Sequence, residues 1–214
     1  MAEYLNPTVG CEKLIKILRE KGITDERVLD AFRKVPRHLF VDGAMYAQAY
    51  DDNALPIGNG QTISQPIVVA MMTEMLELKK DEKILEIGTG SGFQTAILAQ
   101  FSRRVYTIER QRDLGENARK RLRELGYINV VCKIGDGTCG WQQFAPFDKI
   151  IVTAGAPVVP KTLIDQLAIG GRMIIPAGDR KKQELHIYDR SELGCKCRVT
   201  GDVTFVPLIG EHGW

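Results

Sequence analysis

The stretch KILEIGTGSGF (83–93) decides the fold, because it joins an apolar run to a glycine-rich turn. KILEI (83–87) predicts a buried β-strand, and a helical segment is predicted after the turn, from Gln94 to Phe101. Glycines let the backbone turn tightly and approach a ligand, and the start of a helix offers unpaired N–H groups and a positive dipole end. A strand-to-helix turn without a ligand would not require three alternating glycines. The stretch therefore predicts a ligand site between a strand and a helix.

Beyond this turn, short apolar runs alternate with segments rich in helix formers. Helical segments are predicted at 113–125 and 160–167. Strands and helices that alternate in this way form βαβ units with right-handed connections. The pattern predicts an α/β fold with a doubly wound, mostly parallel Rossmann-like sheet. The further predicted strands are VYTIE (105–109), NVVCKI (129–134), KIIVT (149–153) and RMIIP (172–176).

The chain before this core predicts helices and one long loop. Apolar residues at helical spacing over 14–18 predict a first helix. Thr24 is the predicted N-cap of a second helix that ends at Pro36. Residues 51–66 carry Asn, Pro and Gly without sustained periodicity, which predicts a loop, and a helical pattern resumes over 67–78. A loop of this length in a compact domain is usually functional or disordered.

The tail changes character again. LHIYD (185–189) and VTFVPL (203–208) predict an antiparallel pair of C-terminal strands. From the length we expect a single domain over residues 1–214. Its expected parts are N-terminal helices with the long loop (1–80), an α/β core that carries the glycine-rich ligand turn (81–178) and C-terminal strands (179–214).

Composition excludes several classes of protein. Lys and Arg number 29 against 27 Asp and Glu, a net charge of +2, which gives no electrostatic footprint for nucleic acid or an anionic membrane. Five cysteines are too few for a disulfide framework, and Cys195-x-Cys197 has no second pair at zinc-finger spacing, so we expect free thiols and no metal. MAEYLNPTVG (1–10) does not have the pattern of a secretory leader. We expect a cytoplasmic location.

Two more features point to an adenosine ligand. Glu109 ends the second strand, 21 residues after Gly88, where a carboxylate can accept both hydroxyls of a ribose, although it could equally be a solvated acid. Gly135-Asp136-Gly137 follows the third strand, where the acid could meet an adenine amino group or form a plain turn. The G-x-G-x-G spacing, with Phe93 next, disfavours a nicotinamide dinucleotide. No Gly-Lys-Ser/Thr follows the turn, which disfavours a P-loop.

These motifs resemble a known family. LEIGTGSGF (85–93) with its acidic strand end resembles motif I of the class I S-adenosylmethionine-dependent methyltransferases. The loop DDNALPIGNGQTISQP (51–66) is more specifically similar to protein-L-isoaspartate O-methyltransferases, and the similarity runs over nearly the whole chain. Ala54, Phe93 and Gly155 depart from residues common in the family. The other stretches that carry the resemblance are GITDERVLDAFRKVPRHLFV (22–41), FDKIIVTAGAPVVP (147–160), GGRMIIPAG (170–178) and FVPLIG (205–210).

The resemblance implies methyl transfer from S-adenosyl-L-methionine to the free α-carboxylate of isoaspartyl residues, with S-adenosyl-L-homocysteine as product. Ser64 matches the family's catalytic serine, which we interpret as orienting the carboxylate; the alternative is a serine that caps the helix near Pro66. Thr62 and Val206 are the further expected substrate contacts. The expected cofactor-binding residues are Ile63, Gly88, Gly90, Ser91, Gly92, Glu109, Arg110, Asp136 and Gly137.

The implied role is repair of aged proteins, because the ester cyclises to a succinimide that hydrolyses partly to aspartate. The expected partners are isoaspartyl peptides and proteins, without nucleic acid or membrane, and the chain is expected to be a monomer. Two alternatives stay open: a methyltransferase of another substrate, such as nucleic acid or a small molecule, and a non-catalytic adenosine-binding module.

Overall fold

The computed structural model describes residues 6–214, and a seven-stranded sheet forms its centre. Residues 1–5 lie outside the described residues. They form the first half of MAEYLNPTVG (1–10), the stretch in which the sequence predicts no secretory leader. The helices are α1 (Pro7–Glu20), α2 (Glu26–Lys34), α3 (Pro66–Met75), α4 (Phe93–Leu98), α5 (Arg112–Glu124) and α6 (Lys161–Asp165). The strands are β1 (Leu55–Gly58), β2 (Gln61–Ile63), β3 (Lys83–Ile87), β4 (Arg104–Glu109), β5 (Val130–Ile134), β6 (Phe147–Val152), β7 (Leu167–Gly178), β8 (Gln183–Ser191) and β9 (Gly194–Val203).

The sheet is mixed and mostly parallel, which confirms the predicted fold class. Its strand order is β5-β4-β3-β6-β7-β8-β9, in which β5 to β7 run parallel and β8 and β9 are antiparallel. Apolar side chains project from both faces of β3. Leu85 and Ile87 belong to one buried cluster, and Ile84 belongs to another. A sheet covered on both faces requires such continuous apolar strands. Among residues 6–214, no helix combines the length and apolar character needed to cross a bilayer.

The N-terminal helices form a third apolar cluster with α3, α4 and the β1–β2 hairpin. The predicted N-cap of α2 was wrong by one residue. Asp25 is the N-cap, and its side chain accepts a hydrogen bond from the N–H of Arg27. The Thr24 N–H and hydroxyl instead donate to Glu74 Oε1, at 2.8 and 3.3 Å, so this residue joins α2 to α3.

The predicted loop 51–66 contains a short antiparallel hairpin. Strand β1 pairs with β2, with Leu55 opposite Ile63, and the turn residues Asn59 and Gly60 both have positive φ, 51° and 69°. Asn-Gly is the favoured pair for a two-residue hairpin turn. The sequence did not predict these strands, because β1 has four residues and β2 three, which is too short for a periodic apolar pattern.

The prediction of a strand over 203–208 was wrong, and β9 lies earlier in the chain. Strand β9 pairs with β8 through a tight turn at Ser191–Gly194 and ends at Val203. The following C-terminal strap, residues 204–214, crosses to the loop after β6, where Gly155 N donates to Val206 O and Leu208 N donates to Gly155 O, both at 2.8 Å. The chain therefore stops pairing with β8 at Val203, and the strap that follows pairs with Gly155 instead.

A buried glutamine fixes this change of direction. Gln183 is 5% exposed; its Nε2 donates to Phe205 O at 3.2 Å and its Oε1 accepts from Phe205 N at 2.9 Å. A Cβ at Gly155 would lie 2.5 Å from the Gln183 amide, so the glycine at this position leaves room for the side chain. The departure of Gly155 from the family pattern thus has a packing reason.

We expect Gln183→Leu to lower the free energy of unfolding by about 2 kcal/mol, because it leaves the N–H and C=O of Phe205 without partners. Urea unfolding followed by circular dichroism measures the change. The control is Gln100→Leu, on the surface, where the glutamine makes one hydrogen bond of 3.4 Å and little change is expected. Equal stability of Gln183→Leu and the unchanged chain would contradict this account of the strap.

Candidate functional site

An open cleft lies at the carboxyl ends of β3, β4 and β6, with about 880 Å³ of empty space when the solvent at its mouth is included. This is where an α/β sheet binds ligands, because the loops there diverge to the two faces of the sheet. The hairpin covers the cleft on one side and the C-terminal strap on another. Its walls are residues 61–64 and Val69, Ile87 to Ser91, Phe93 and Gln94, Ile108 to Gln111, Gly137, Thr153 and Ala154, and residues 206–209.

Most of the predicted site residues line this cleft, and two do not. Gly92 faces α5, where a Cβ would come within 3.2 Å of the Leu122 side chain. The Asp136 carboxylate accepts hydrogen bonds from Thr138 N at 2.8 Å and Glu211 N at 2.7 Å, so it holds the C-terminal strap. Its contact with an adenine stays a prediction. The residues on the cleft wall are Thr62, Ile63, Ser64, Gly88, Gly90, Ser91, Glu109, Arg110, Gly137 and Val206.

The glycine turn is held from two sides. Gly88 has a φ of 97°, and a Cβ there would collide with the Thr153 side chain, whose hydroxyl donates to Gly88 O at 2.7 Å. On the other side, the carboxylate of Glu109 accepts from the N–H of Gly90 and of Gln111, both at 2.9 Å. The glutamate is 8% exposed and lies on the cleft wall. A bare backbone turn beside a carboxylate forms a cradle that suits a polar ligand with hydroxyl groups.

A buried arginine holds the opposite wall. Arg37 is 1% exposed; its Nε donates to Ala49 O at 2.9 Å and its Nη2 donates to Ser64 O at 2.8 Å. Its guanidinium carbon lies 4.8 Å from the centre of the Phe93 ring, within the range of a cation–π interaction. Burial lowers the pKa of Arg37 to about 9, so the side chain is positively charged at neutral pH. Arg37 therefore fixes the backbone of Ser64.

The hydroxyl of Ser64 has no partner in the part of the chain that the structure describes, and it is available to a ligand. Helix α3 has Gln65 as its N-cap, without a side-chain cap, and the N–H of Ile67 donates to Asp52 Oδ1 at 2.8 Å. Asp52 also accepts from Lys21 Nζ at 2.7 Å and from Gln65 Nε2 at 3.1 Å, which ties the two ends of the 51–66 segment together. The alternative role of Ser64 as a helix cap is therefore wrong. Within residues 6–214 the Ser64 hydroxyl makes no hydrogen bond.

Comparison with known proteins identifies the family of this chain. The family model for protein-L-isoaspartate(D-aspartate) O-methyltransferase matches residues 10–213. The chain belongs to this family. It is 54% identical over 197 residues to protein-L-isoaspartate O-methyltransferase 1 of Syntrophobacter fumaroxidans, covering 92% of each chain.

Two solved structures share the fold of the family. One, a protein-L-isoaspartate O-methyltransferase, has a TM-score of 0.87 and 31% identity, and the match covers 95% of this chain and 67% of that one. The other, from Plasmodium falciparum, has a TM-score of 0.81 and 25% identity over 95% of this chain and 99% of that one. It is described as a protein-L-isoaspartate O-methyltransferase in complex with S-adenosyl-L-homocysteine.

Membership in the isoaspartyl methyltransferase family gives the chain its activity class and its methyl donor. It is a methyltransferase that uses S-adenosyl-L-methionine, and the substrates of its family are isoaspartyl proteins. The predicted family, cofactor and enzyme class are thereby confirmed. The cradle of Gly88, Gly90 and Glu109 fits this cofactor, because it offers close backbone approach and a carboxylate for ribose hydroxyls.

Sequence reasoning missed a buried acid behind the glycine turn. Glu86 is fully buried, and burial raises its pKa to about 8. Its Oε2 accepts hydrogen bonds from the hydroxyls of Thr107 and Thr95, at 2.7 and 2.5 Å. Since Thr107 uses its proton there, the Thr89 hydroxyl is the donor in the 2.6 Å bond between these threonines. The chain of bonds positions Thr89 in the turn, and the signal available in the sequence was a lone acid within the apolar run KILEI.

Arg37 was also missed, and it gives a test of the wall that carries Ser64. We expect Arg37→Met to reduce methyl transfer at least about tenfold, because Ser64 and Ala49 lose their shared donor. The free energy of unfolding should fall by about 3 kcal/mol, and Arg37→Lys, which keeps the charge, should recover part of both losses. Affinity for S-adenosyl-L-homocysteine should change less than about threefold, since Arg37 does not line the cofactor cradle.

Initial rates with an isoaspartyl peptide, urea unfolding and calorimetry with S-adenosyl-L-homocysteine measure the three quantities. A loss of cofactor affinity as large as the loss of rate would contradict the separate roles assigned to the two walls of the cleft.

Proposed function

We propose that this chain repairs aged proteins by methylating the free α-carboxylate of L-isoaspartyl residues. When bound, S-adenosyl-L-methionine supplies a methyl group on a cationic sulfur. The observation that carries the residue assignment is the hydroxyl of Ser64, which has no hydrogen-bond partner among the described residues and lies on a backbone fixed by Arg37 at the wall of the cleft. The resulting ester cyclises without the enzyme to a succinimide, which returns partly to aspartate.

The proposed role of Ser64 is to orient the substrate carboxylate. A carboxyl group has a reference pKa near 4 and is already ionised at neutral pH, so its oxygen needs no base to become a nucleophile. Among the described residues that line the cleft, only Glu109 and Arg110 carry charged side chains, and Glu109 is held by two backbone N–H groups. This supports catalysis by positioning, which can contribute about 7–11 kcal/mol.

Thr62 and Val206 are the other proposed substrate contacts. Thr62 is exposed on β2, two residues before Ser64, and Val206 lies across the cleft on the C-terminal strap. The position of Thr62 suits a second hydrogen bond to the carboxylate or to the peptide. Val206, whose carbonyl is already paired with Gly155 N, suits apolar contact with the peptide backbone.

The proposed cofactor contacts lie on the sheet side of the cleft. Glu109 would accept the ribose hydroxyls, while the glycine turn would allow close approach of the ligand to the backbone. Gly92 supports the turn by packing on α5, and Asp136 would act from its place beside the strap. The proposed set remains Ile63, Gly88, Gly90, Ser91, Gly92, Glu109, Arg110, Asp136 and Gly137.

We further propose a single domain over residues 1–214 that acts as a cytoplasmic monomer on proteins rather than nucleic acid. Apolar clusters that join the N-terminal helices to α4 support the single domain. All five cysteines are free, which suits a reducing compartment. The near balance of charge supports a protein substrate over nucleic acid.

A paired peptide assay tests the proposed function. With methyl-labelled S-adenosyl-L-methionine, we expect label to enter an isoaspartyl peptide as a base-labile ester and not to enter the matched aspartyl peptide. The reason is that only the isoaspartyl linkage presents a free α-carboxylate beside the branched backbone. Equal labelling of both peptides, or of neither, would overturn the assignment of substrate.

Ser64→Ala separates orientation of the substrate from binding of the cofactor. Loss of one hydrogen bond to a charged carboxylate, worth about 1.5–3 kcal/mol, should lower the rate constant about 10–100-fold. Affinity for S-adenosyl-L-homocysteine should stay within about twofold, while Glu109→Gln should show the opposite pattern, with weaker cofactor binding.

The matched control is Ser102→Ala. The Ser102 hydroxyl donates to Leu98 O at 3.0 Å, and this residue follows α4 and does not line the cleft. Single-turnover rates and calorimetry measure the two quantities for each variant. The proposal fails if Ser64→Ala transfers methyl groups as fast as Ser102→Ala.

A further inference from the structure

The C-terminal strap brings a second group of reactive side chains together, outside the cleft. Glu211 N donates to Asp136 Oδ2 at 2.7 Å, and His212 N donates to Thr138 Oγ1 at 3.1 Å. Both backbone contacts are made to the loop that also carries Cys139. As a result, one donor atom each from Cys139, Glu211 and His212 lies within 4.8 Å of the others.

These three side chains form a coherent set of metal ligands. Thiolate, imidazole and carboxylate are the groups that bind zinc, and three protein ligands with one open position are typical of sites that keep a water. Two ligands on a tetrahedral zinc, at the usual bond lengths to sulfur and oxygen, are about 3.5 Å apart. Cys139 Sγ lies 3.8 Å from Glu211 Oε2, close to that spacing. The exposed side chain of His212 has room to complete the set.

The backbone anchors and the local charge make this more than a chance meeting of surface groups. The Asp136 carboxylate accepts a hydrogen bond from the main chain of Glu211. A Cβ at Gly210 would collide with the Asp136 carboxylate, so the strap can approach the loop after β5 only with a glycine at this position. Within residues 6–214, neither Asp136 nor Glu211 forms an ion pair with a lysine or arginine. Two carboxylates beside a thiol and an imidazole leave negative charge that a divalent cation would neutralise.

We propose that Cys139, Glu211 and His212 bind one divalent transition-metal ion, with zinc as the expected ion. The ion joins the strap to the loop after β5. Val206 and Ile209 of the strap, together with Gly137 of that loop, line the cleft, so the ion ties together two of its walls. Zinc is favoured over calcium or magnesium because a thiolate and an imidazole are poor ligands for those hard cations.

Direct metal binding tests the proposal without any measurement of activity. The probe is Zn²⁺, measured by calorimetry on the reduced, untagged full chain, with Co²⁺ absorption as a second readout of thiolate coordination. We expect one ion per chain. Cys139→Ser and His212→Ala should each weaken binding at least about 100-fold, because each removes a direct ligand.

The matched control is the double variant Cys195→Ser/Cys197→Ser, which removes two exposed thiols on β9, one of them 3.7 Å from His186 Nδ1. This variant should keep the binding and the cobalt spectrum of the unchanged chain. The proposal is overturned if no ion binds, if Cys139→Ser binds as tightly as the unchanged chain, or if binding is lost in the double variant. Circular dichroism of each variant confirms that it is folded.

Discussion

The site depends on the hydrogen bonds from Gly90 N and Gln111 N to the Glu109 carboxylate, both 2.9 Å long. Parallel pairing puts Ile87 opposite Ile108, so the turn after β3 and the acid at the end of β4 emerge at the same level of the sheet. Each bond satisfies a backbone donor that a tight turn would otherwise leave unpaired. Because the carboxylate is held by the turn, it faces the cleft in one orientation. The register of the sheet thus sets the geometry of the wall that we propose for the cofactor.

The opposite wall is built on a different principle. Arg37 is surrounded by carbonyl oxygens and an aromatic ring rather than by a carboxylate partner. Guanidinium is suited to such a place, because its several donors can serve carbonyls from separate segments at once. The 51–66 segment is only partly regular, and Asp52 and Arg37 give its ends fixed positions. The backbone of Ser64 is therefore held in place on this wall of the cleft, although the wall is not part of the central sheet.

The sequence predicted the parts of the molecule that depend on local patterns. The alternation of apolar runs and helix formers identified the parallel strands, and the glycine turn identified the ligand edge. The β1–β2 hairpin and the Asp25 cap were missed because short strands and adjacent capping residues give weak local signals. The strap was missed because its course depends on Gln183, 22 residues from its partner Phe205. Ser64 was recognised through the family resemblance, since a free hydroxyl has no periodic signature.

Buried polar groups and contacts distant in sequence set the limit of such prediction. Arg37 and Glu86 both lie in stretches quoted as motifs, but their neighbours in the sequence do not show which groups they bond. The Cys139 and Glu211 side chains meet across 72 positions, through backbone contacts that no pattern encodes. For Arg37 and Glu86 the deciding factor is desolvation: a polar group enclosed by the fold must find partners there, and those partners can lie far away in the sequence.

The distribution of charge along the cleft suits the proposed action on isoaspartyl residues in many different proteins. The described residues on the hairpin and strap sides of the cleft, 61–64 and 206–209, carry no charged side chain, whereas Glu109 and Arg110 lie on the sheet side. Uncharged hydroxyls and aliphatic groups give little discrimination among neighbouring side chains of a peptide, because they neither attract nor repel particular charges. Selection then falls on what every substrate shares, a carboxylate on a branched backbone. A site that recognises damage rather than sequence requires this kind of wall.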